Sequence, residues 1–218
     1  MTGLAAKTLK VFKDVTKLPC IKDYVLVGGT ALSLQIKHRL SEDLDFCKWT
    51  TTQSTKNAIP YRELERELKQ YFAKVEVNPI DFDQVDYLVN GEVKFQFFNE
   101  VGYKLPIHDT ISYEGNMRIA PVSTIGAMKI KTMFQRNVFR DYYDAFAIVK
   151  GGHLTLTKLI ELAGIYHDRL KPAMIIKRLI THKKFKEESS FPTMAPMYEV
   201  TCEEIGKFFE VEVEKLQS

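Results

Sequence analysis

The segment Tyr24-Val-Leu-Val-Gly-Gly-Thr-Ala-Leu-Ser-Leu-Gln-Ile-Lys-His-Arg-Leu-Ser-Glu-Asp-Leu-Asp-Phe46 constrains the fold of this chain more than any other. Tyr24 to Val27 is a short apolar run bounded by glycines, the pattern of a buried strand. Gly28-Gly29 predicts a sharp turn whose backbone can approach a ligand closely. Thr30 to His38 predicts a helix, apolar at Ala31, Leu32, Leu34 and Ile36. A glycine turn opening a helix aims backbone N–H groups and the positive helix end at one spot, which suits a phosphate. Leu40 to Phe46 predicts a second strand, on which Asp43 and Asp45, two apart, share a face. Paired carboxylates repel one another, and a hard divalent cation relieves that repulsion. A phosphate cradle beside such a pair implies chemistry on a nucleoside triphosphate with Mg²⁺ or Mn²⁺.

These residues resemble the signature of the DNA polymerase β-like nucleotidyltransferase superfamily: a glycine turn, a helix, then Asp-x-Asp. The closer form, Gly28-Gly-Thr-Ala-Leu32 followed by Arg39, Ser41, Asp43 and Asp45, is similar to the AbiEii/AbiGii toxin family. The resemblance implies that Gly28, Gly29, Thr30, Arg39 and Ser41 bind the nucleotide. It also implies that Asp43 and Asp45 hold the metal. The structural alternative is an ordinary turn followed by two solvated aspartates.

The chain has 218 residues, long enough for one large domain or two small ones. With 45% hydrophobic and 27% charged residues it reads as a globular protein able to bury a core. A net charge of only +3 gives no strong field for nucleic acid. Lys171, Lys177, Arg178, Lys183, Lys184 and Lys186 cluster with His182, either as an RNA contact or as a solvated helix face. Cys20, Cys47 and Cys202 lack zinc spacing and fit reduced thiols. No signal segment or membrane-spanning run is visible, so a cytoplasmic protein without a membrane partner is expected.

Along the chain, an opening helix is expected over Leu4 to Phe12 and a Thr-rich loop over Trp49 to Ala58. Pro60 suits the first residue of a helix running to about Ala73. A short strand is expected over Val75 to Val77. Val85 to Val89, Asn90-Gly91 and Val93 to Phe98 form the clearest hairpin, because Asn-Gly supplies the two positive-φ residues of a type I′ turn. A last strand, Met117 to Ala120, precedes helices over Ser123 to Arg136, Phe139 to Val149, Leu156 to His167 and Ala173 to Thr181. Glu187 to Tyr198 reads as a loop, and Thr201-Cys-Glu-Glu204 as a capping box. The expected class is α+β: a nucleotidyltransferase-type mixed sheet with flanking helices over 1–120, then a helical bundle over 121–218, with a cleft between them.

The resemblance implies a third carboxylate on a strand beside Asp45, and the expected position holds Gln96. Glu92 and Glu100 fit poorly by register. Either another acid serves, or two carboxylates suffice, or the site is inactive. The likeness resumes at Gly126-Ala-Met-Lys129, Arg136 and Arg140-Asp141-Tyr142-Tyr143-Asp144. Lys129 and Arg136 lie two turns apart on one helix face, placed to stabilise the leaving pyrophosphate. The alternative is an interhelix salt-bridge network, and that structural role is favoured for Asp141 and Asp144. His38, beside Arg39, reads as incidental. His108, His153 and His167 have no partner spacing, and Tyr142 and Tyr143 read as core and boundary.

By resemblance the chain is expected to move an NMP from an NTP to an acceptor, with tRNA as a candidate. It would be the toxin of an abortive-infection or toxin–antitoxin pair whose antitoxin acts without a stable complex. Two alternatives stand beside this: a catalytically impaired binding protein of the same fold, or a transferase acting on a small molecule or protein.

Overall fold

The computed structural model describes residues 3–50, 58–101, 109–181 and 188–216. Lys183, Lys184, Lys186 and His182 of the basic cluster, His108, and residues 51–57 of the Thr-rich segment lie outside them. The described chain groups into two compact units, one of 1–34 and 40–121 and the other of 35–39 and 122–218.

The first unit is built on a seven-stranded sheet of order β3-β4-β5-β2-β1-β7-β6. Its strands are β1 (Val25–Val27), β2 (Leu44–Thr50), β3 (Val75–Pro79), β4 (Gln84–Val89), β5 (Val93–Val101), β6 (Ile111–Ser112) and β7 (Arg118–Ile119). The β2–β5 and β1–β7 pairs are parallel and the others antiparallel. Registers Leu26↔Phe46, Phe46↔Phe97, Leu44↔Phe95 and Tyr87↔Phe95 put the largest apolar side chains on one face. All of these are buried. Helix α3 (Tyr61–Tyr71) is tied to β4 by the Tyr87 hydroxyl, which donates to the Tyr61 carbonyl at 2.6 Å. Phe72, just past α3, packs edge-on against Phe95 at 5.6 Å.

The opposite face carries Asp45, Gln96 and Asp86 in one row, because Asp45↔Gln96 and Asp86↔Gln96 are register partners. The hairpin that sets this row turns as expected. Asn90 and Gly91 both have positive φ, 53° and 72°, and the chain closes with a Glu92 N–H to Val89 carbonyl bond of 3.1 Å. Glu92 is one residue more than a two-residue turn requires, and Val89 pairs with Val93.

Helix α1 (Ala6–Val15) buries Val11, Phe12 and Val15, starting and ending later than its apolar pattern suggested. Helix α2 (Gly28–Ile36) already includes both glycines, so they form the first turn of the helix rather than a turn before it. Gly28 has φ +69°, the left-handed region open to glycine. Strand β2 starts at Leu44 rather than Leu40 and extends through Trp49 and Thr50, which the sequence had assigned to a loop. The reason is non-local: Ser41 bridges to Leu4, and its N–H and C=O bond Gly3 and Ala5 at 3.0 and 2.9 Å. Ser41 therefore pairs with the N-terminal segment instead of lengthening β2.

The second unit contains α4 (Val122–Gln135), α5 (Phe139–Lys150), α6 (Leu156–Tyr166), α7 (Pro172–Ile180) and α8 (Cys202–Glu214). The first four fall within one residue of their expected bounds, and α8 opens at the expected capping box. Their core includes Ile130, Met133, Tyr142, Tyr143, Phe146, Leu159, Ile175, Leu179, Ile205 and Phe209. A Cβ at Gly126 would meet Leu159 Cδ1 at 2.9 Å, so glycine permits the close approach of α4 and α6. Thr201 and Glu204 form the capping box on α8. Among the described residues no helix is long and apolar enough to cross a membrane.

Candidate functional site

Within the first unit, the carboxylate pair stands where the α2 N-terminus meets β2. Asp45 is on the strand, paired with Val27, and Asp43 immediately precedes it. Both are half-buried. A Cβ on Gly28 would lie 2.3 Å from Asp45 Oδ2, so this carboxylate rests on the bare α-carbon that opens the helix. Thr30 Oγ1 donates to the Asp43 carbonyl and shares a 2.8 Å hydrogen bond with Ser41 Oγ. Thr30 and Ser41 are buried, and their hydroxyls clamp the loop that carries Asp43. Thr8 Oγ1 adds a 2.6 Å bond to the Glu42 carbonyl.

This arrangement suits a hard divalent cation. Its donors are carboxylate oxygens, half-exposed, beside a helix N-terminus whose bare Gly28 Cα leaves room for the Asp45 carboxylate. Among the described residues no group of three or more His, Cys, Asp and Glu has metal-binding geometry, so the pair stands without a third acid. Gln96 is the register neighbour of Asp45, and its Nε2 donates to Asp86 Oδ1 at 2.8 Å.

Gly28→Ala is therefore expected to act twice. The left-handed φ costs about 1–2 kcal/mol for a residue with a Cβ, and the methyl group evicts Asp45 Oδ2 from its position. Calorimetric titration with Mg·NTP should show affinity reduced by about tenfold or more. Unchanged affinity would remove Gly28 from the site.

The remaining candidates gather elsewhere, in a buried charge network of the second unit. Asp144 on α5 receives Arg39 Nε at 2.7 Å and Nη2 at 2.9 Å, His38 Nε2 at 2.7 Å and Lys129 Nζ at 2.7 Å. Asp141, one turn earlier, receives Lys129 Nζ at 2.9 Å and Arg136 Nε at 2.8 Å. Arg39, Lys129, Asp141 and Asp144 are all 5% exposed or less, while the Arg136 side chain is 47% exposed. Among the described residues the network joins three permanent cations to two carboxylates. Burial pushes the Asp144 carboxyl upward, but the Arg39 and Lys129 charges and the His38 bond overcome it and hold it well below 3.8. Asp141 is likewise lowered, with burial outweighed by Lys129 and Arg136. Arg140 stands apart from this network, its Nε 3.3 Å from Glu188 Oε1.

His38, dismissed in the sequence, is a member of this network and stacks on Tyr143 at 5.9 Å. Burial lowers its pKa below 6.5 despite Asp144, so the neutral ring donates Nε2–H to that carboxylate. A depressed histidine supports the fold fully above its unfolded value, near 6.5. That support is lost as pH falls from there toward the folded value. Asp141 and Asp144 add a second loss at lower pH, below about 4. Urea denaturation should show wild-type stability dropping between pH 7.5 and 5.5, and His38→Gln should flatten that drop. Parallel profiles for the two proteins would contradict the assignment.

The sequence also passed over Asp86. A two-residue turn at Asn90-Gly91 would have set Asp86 opposite Phe95; the extra loop residue, Glu92, shifts the register so that Val89 pairs with Val93 and Asp86 with Gln96.

The mixed sheet, glycine-opened helix and carboxylate pair define the nucleotidyltransferase fold. A protein of that description from H. pylori, a candidate nucleotidyltransferase, superposes with a TM-score of 0.57 at 19% identity, covering 98% of both chains. The nucleotidyltransferase toxin MenT4 of Mycobacterium tuberculosis H37Rv superposes with a TM-score of 0.54 at 15% identity, covering 94% of this chain and 82% of that one. The uncharacterized protein aq_aa25 of Aquifex aeolicus (strain VF5) is 25% identical over 99% of this chain and 98% of its own length. Residues 15–208 match the family described as nucleotidyl transferase AbiEii toxin of type IV toxin–antitoxin systems, and the chain belongs to that family of nucleotidyltransferases.

Proposed function

We propose that this chain moves an NMP from an NTP to an acceptor hydroxyl, with a divalent cation held by Asp43 and Asp45. The acceptor oxygen attacks the α-phosphorus, the bond to the bridging oxygen breaks, and pyrophosphate leaves with release of a proton. The observation carrying this reading is Asp45 seated on the bare Cα of Gly28, which unites the metal ligand with the helix end. When bound, the cation neutralises the triphosphate and the charge developing on the oxygens. The first turn of α2, Gly28-Gly29-Thr30, offers its backbone to a phosphate. Thr30 and Ser41 hold the Asp43 loop from beneath. The pyrophosphate role proposed for Lys129 and Arg136 falls to Arg136, the exposed member of that charge network. Asp141 fixes the position of Arg136 and also holds Lys129, while Arg39 is held by Asp144.

Membership in a family of type IV toxin–antitoxin systems supports the toxin role; the proposed acceptor is tRNA, the proposed place of action the cytoplasm, and the proposed antitoxin one that forms no stable complex. The neutral Gln96 beside Asp45 favours one second reading, nucleotide binding without turnover. Incubation with α-labelled NTPs and cell extract, followed by separation of RNA, protein and small molecules, tests both. Label in the tRNA fraction, dependent on Mg²⁺, is expected. Label in protein or small molecules would overturn the acceptor, and absence of pyrophosphate release would establish the second reading.

A further inference from the structure

The row Asp45–Gln96–Asp86 crosses three adjacent strands on the polar face of the sheet. Gln96 stands in the middle, with a carboxylate on each flank. An ionised carboxylate only accepts hydrogen bonds, so the atom of Gln96 that meets Asp86 is the amide nitrogen. That bond is 2.8 Å, and Gln84 Nε2 approaches the same Asp86 oxygen at 3.5 Å. The Gln96 carbonyl oxygen is thereby turned away from Asp86, and it accepts no hydrogen bond from the described residues. Neighbouring strands lie about 4.8 Å apart, so side chains paired across β2 and β5 reach a common ligand. A carboxamide oxygen is a hard donor of the kind Mg²⁺ and Mn²⁺ accept.

We infer that Gln96 supplies its carbonyl oxygen as the third protein ligand of the cation held by Asp43 and Asp45, and that Asp86 is the positioning residue that turns it there. The inference rests on the proposed metal role of the two aspartates. It gives the site three oxygen ligands with only two charges, which explains how an all-oxygen site forms here without a third acid. Asp86 acts through Gln96 and not on the cation, since it lies two strands from Asp45.

The test is Mn²⁺ binding by the full chain without nucleotide, followed through the free-Mn²⁺ paramagnetic resonance signal, with thermal melts confirming the fold of each variant. Gln96→Ala should weaken binding by about tenfold and Asp86→Ala by several-fold, in the range seen when outer partners of metal ligands are removed. The exchange Asp86→Asn/Gln96→Glu keeps total charge and retains the hydrogen bond between the two positions, with donor and acceptor reversed. It should tighten binding by about tenfold, because a carboxylate replaces a carboxamide beside Asp45. A purely structural pair would leave the dissociation constant of the exchange variant at the wild-type value, and that result overturns the inference. Asp45→Asn separates the two levels. If it abolishes binding while the Gln96 and Asp86 variants bind normally, the site stands and this inference falls. If it too binds normally, both fall.

Discussion

Replacing Asp144 with alanine is expected to leave the second unit unfolded or nearly so. Asp144 is the acceptor for Arg39, His38 and Lys129, all buried within the same unit. Without it, Arg39 loses both charge-assisted bonds and His38 loses the partner of its Nε2–H. His38 Nδ1 already has no hydrogen-bond partner among the described residues. Removing one member of a buried ion pair costs about 3–5 kcal/mol, and orphaned donors add about 1–3 kcal/mol each. A domain of this kind has roughly 5–15 kcal/mol in total. Urea denaturation should place the midpoint far below that of the wild type. Replacing both Arg39 and Asp144 with apolar residues of similar volume should recover part of the loss, because Arg39 is then no longer a charge buried without its carboxylate and Lys129 keeps Asp141. A midpoint for Asp144→Ala matching the wild type would show that the network contributes nothing to the fold.

Asp45→Ala is expected to produce the converse result: intact folding and lost chemistry. Asp45 is half-buried at a strand start, next to another carboxylate, so its removal should shift stability by about 0.5 kcal/mol or less. Transfer of labelled NMP should fall on the order of 1,000-fold, about 4 kcal/mol of lost transition-state stabilisation. Gly28 and Asp45 act on the same atom, so Gly28→Ala combined with Asp45→Ala should be no worse in transfer than Asp45→Ala alone. Additive losses would mean that the glycine serves some other contact.

The β1–α2–β2 signature was legible because its information is local. A glycine pair after an apolar run specifies the turn, and the aspartate spacing specifies the face. The start of β2 was misplaced because residues 3–5 capture Ser41, a partner nearly forty residues away that no local pattern reveals. The hairpin was legible from Asn90-Gly91, and with it the address of Gln96. Asp86 was not legible, because Glu92 shifts the register by one residue and so decides which β5 side chain it faces. The charge network was the least legible part. Arg39 and Asp144 are 105 residues apart, and only the fold makes Lys129 their shared neighbour. His38 looked incidental for the same reason: its partner is 106 residues away.

The fold and family are those of a nucleotidyltransferase, and the central claim is that Asp43 and Asp45 make its nucleotide binding depend on a divalent cation. Calorimetric titration of the full chain with each NTP, with and without Mg²⁺, tests it directly when repeated on Asp43→Ala/Asp45→Ala. Mg²⁺ is expected to tighten NTP binding by the wild type by about tenfold or more, and the double variant is expected to lose that dependence. Equal affinity in all four conditions would contradict it.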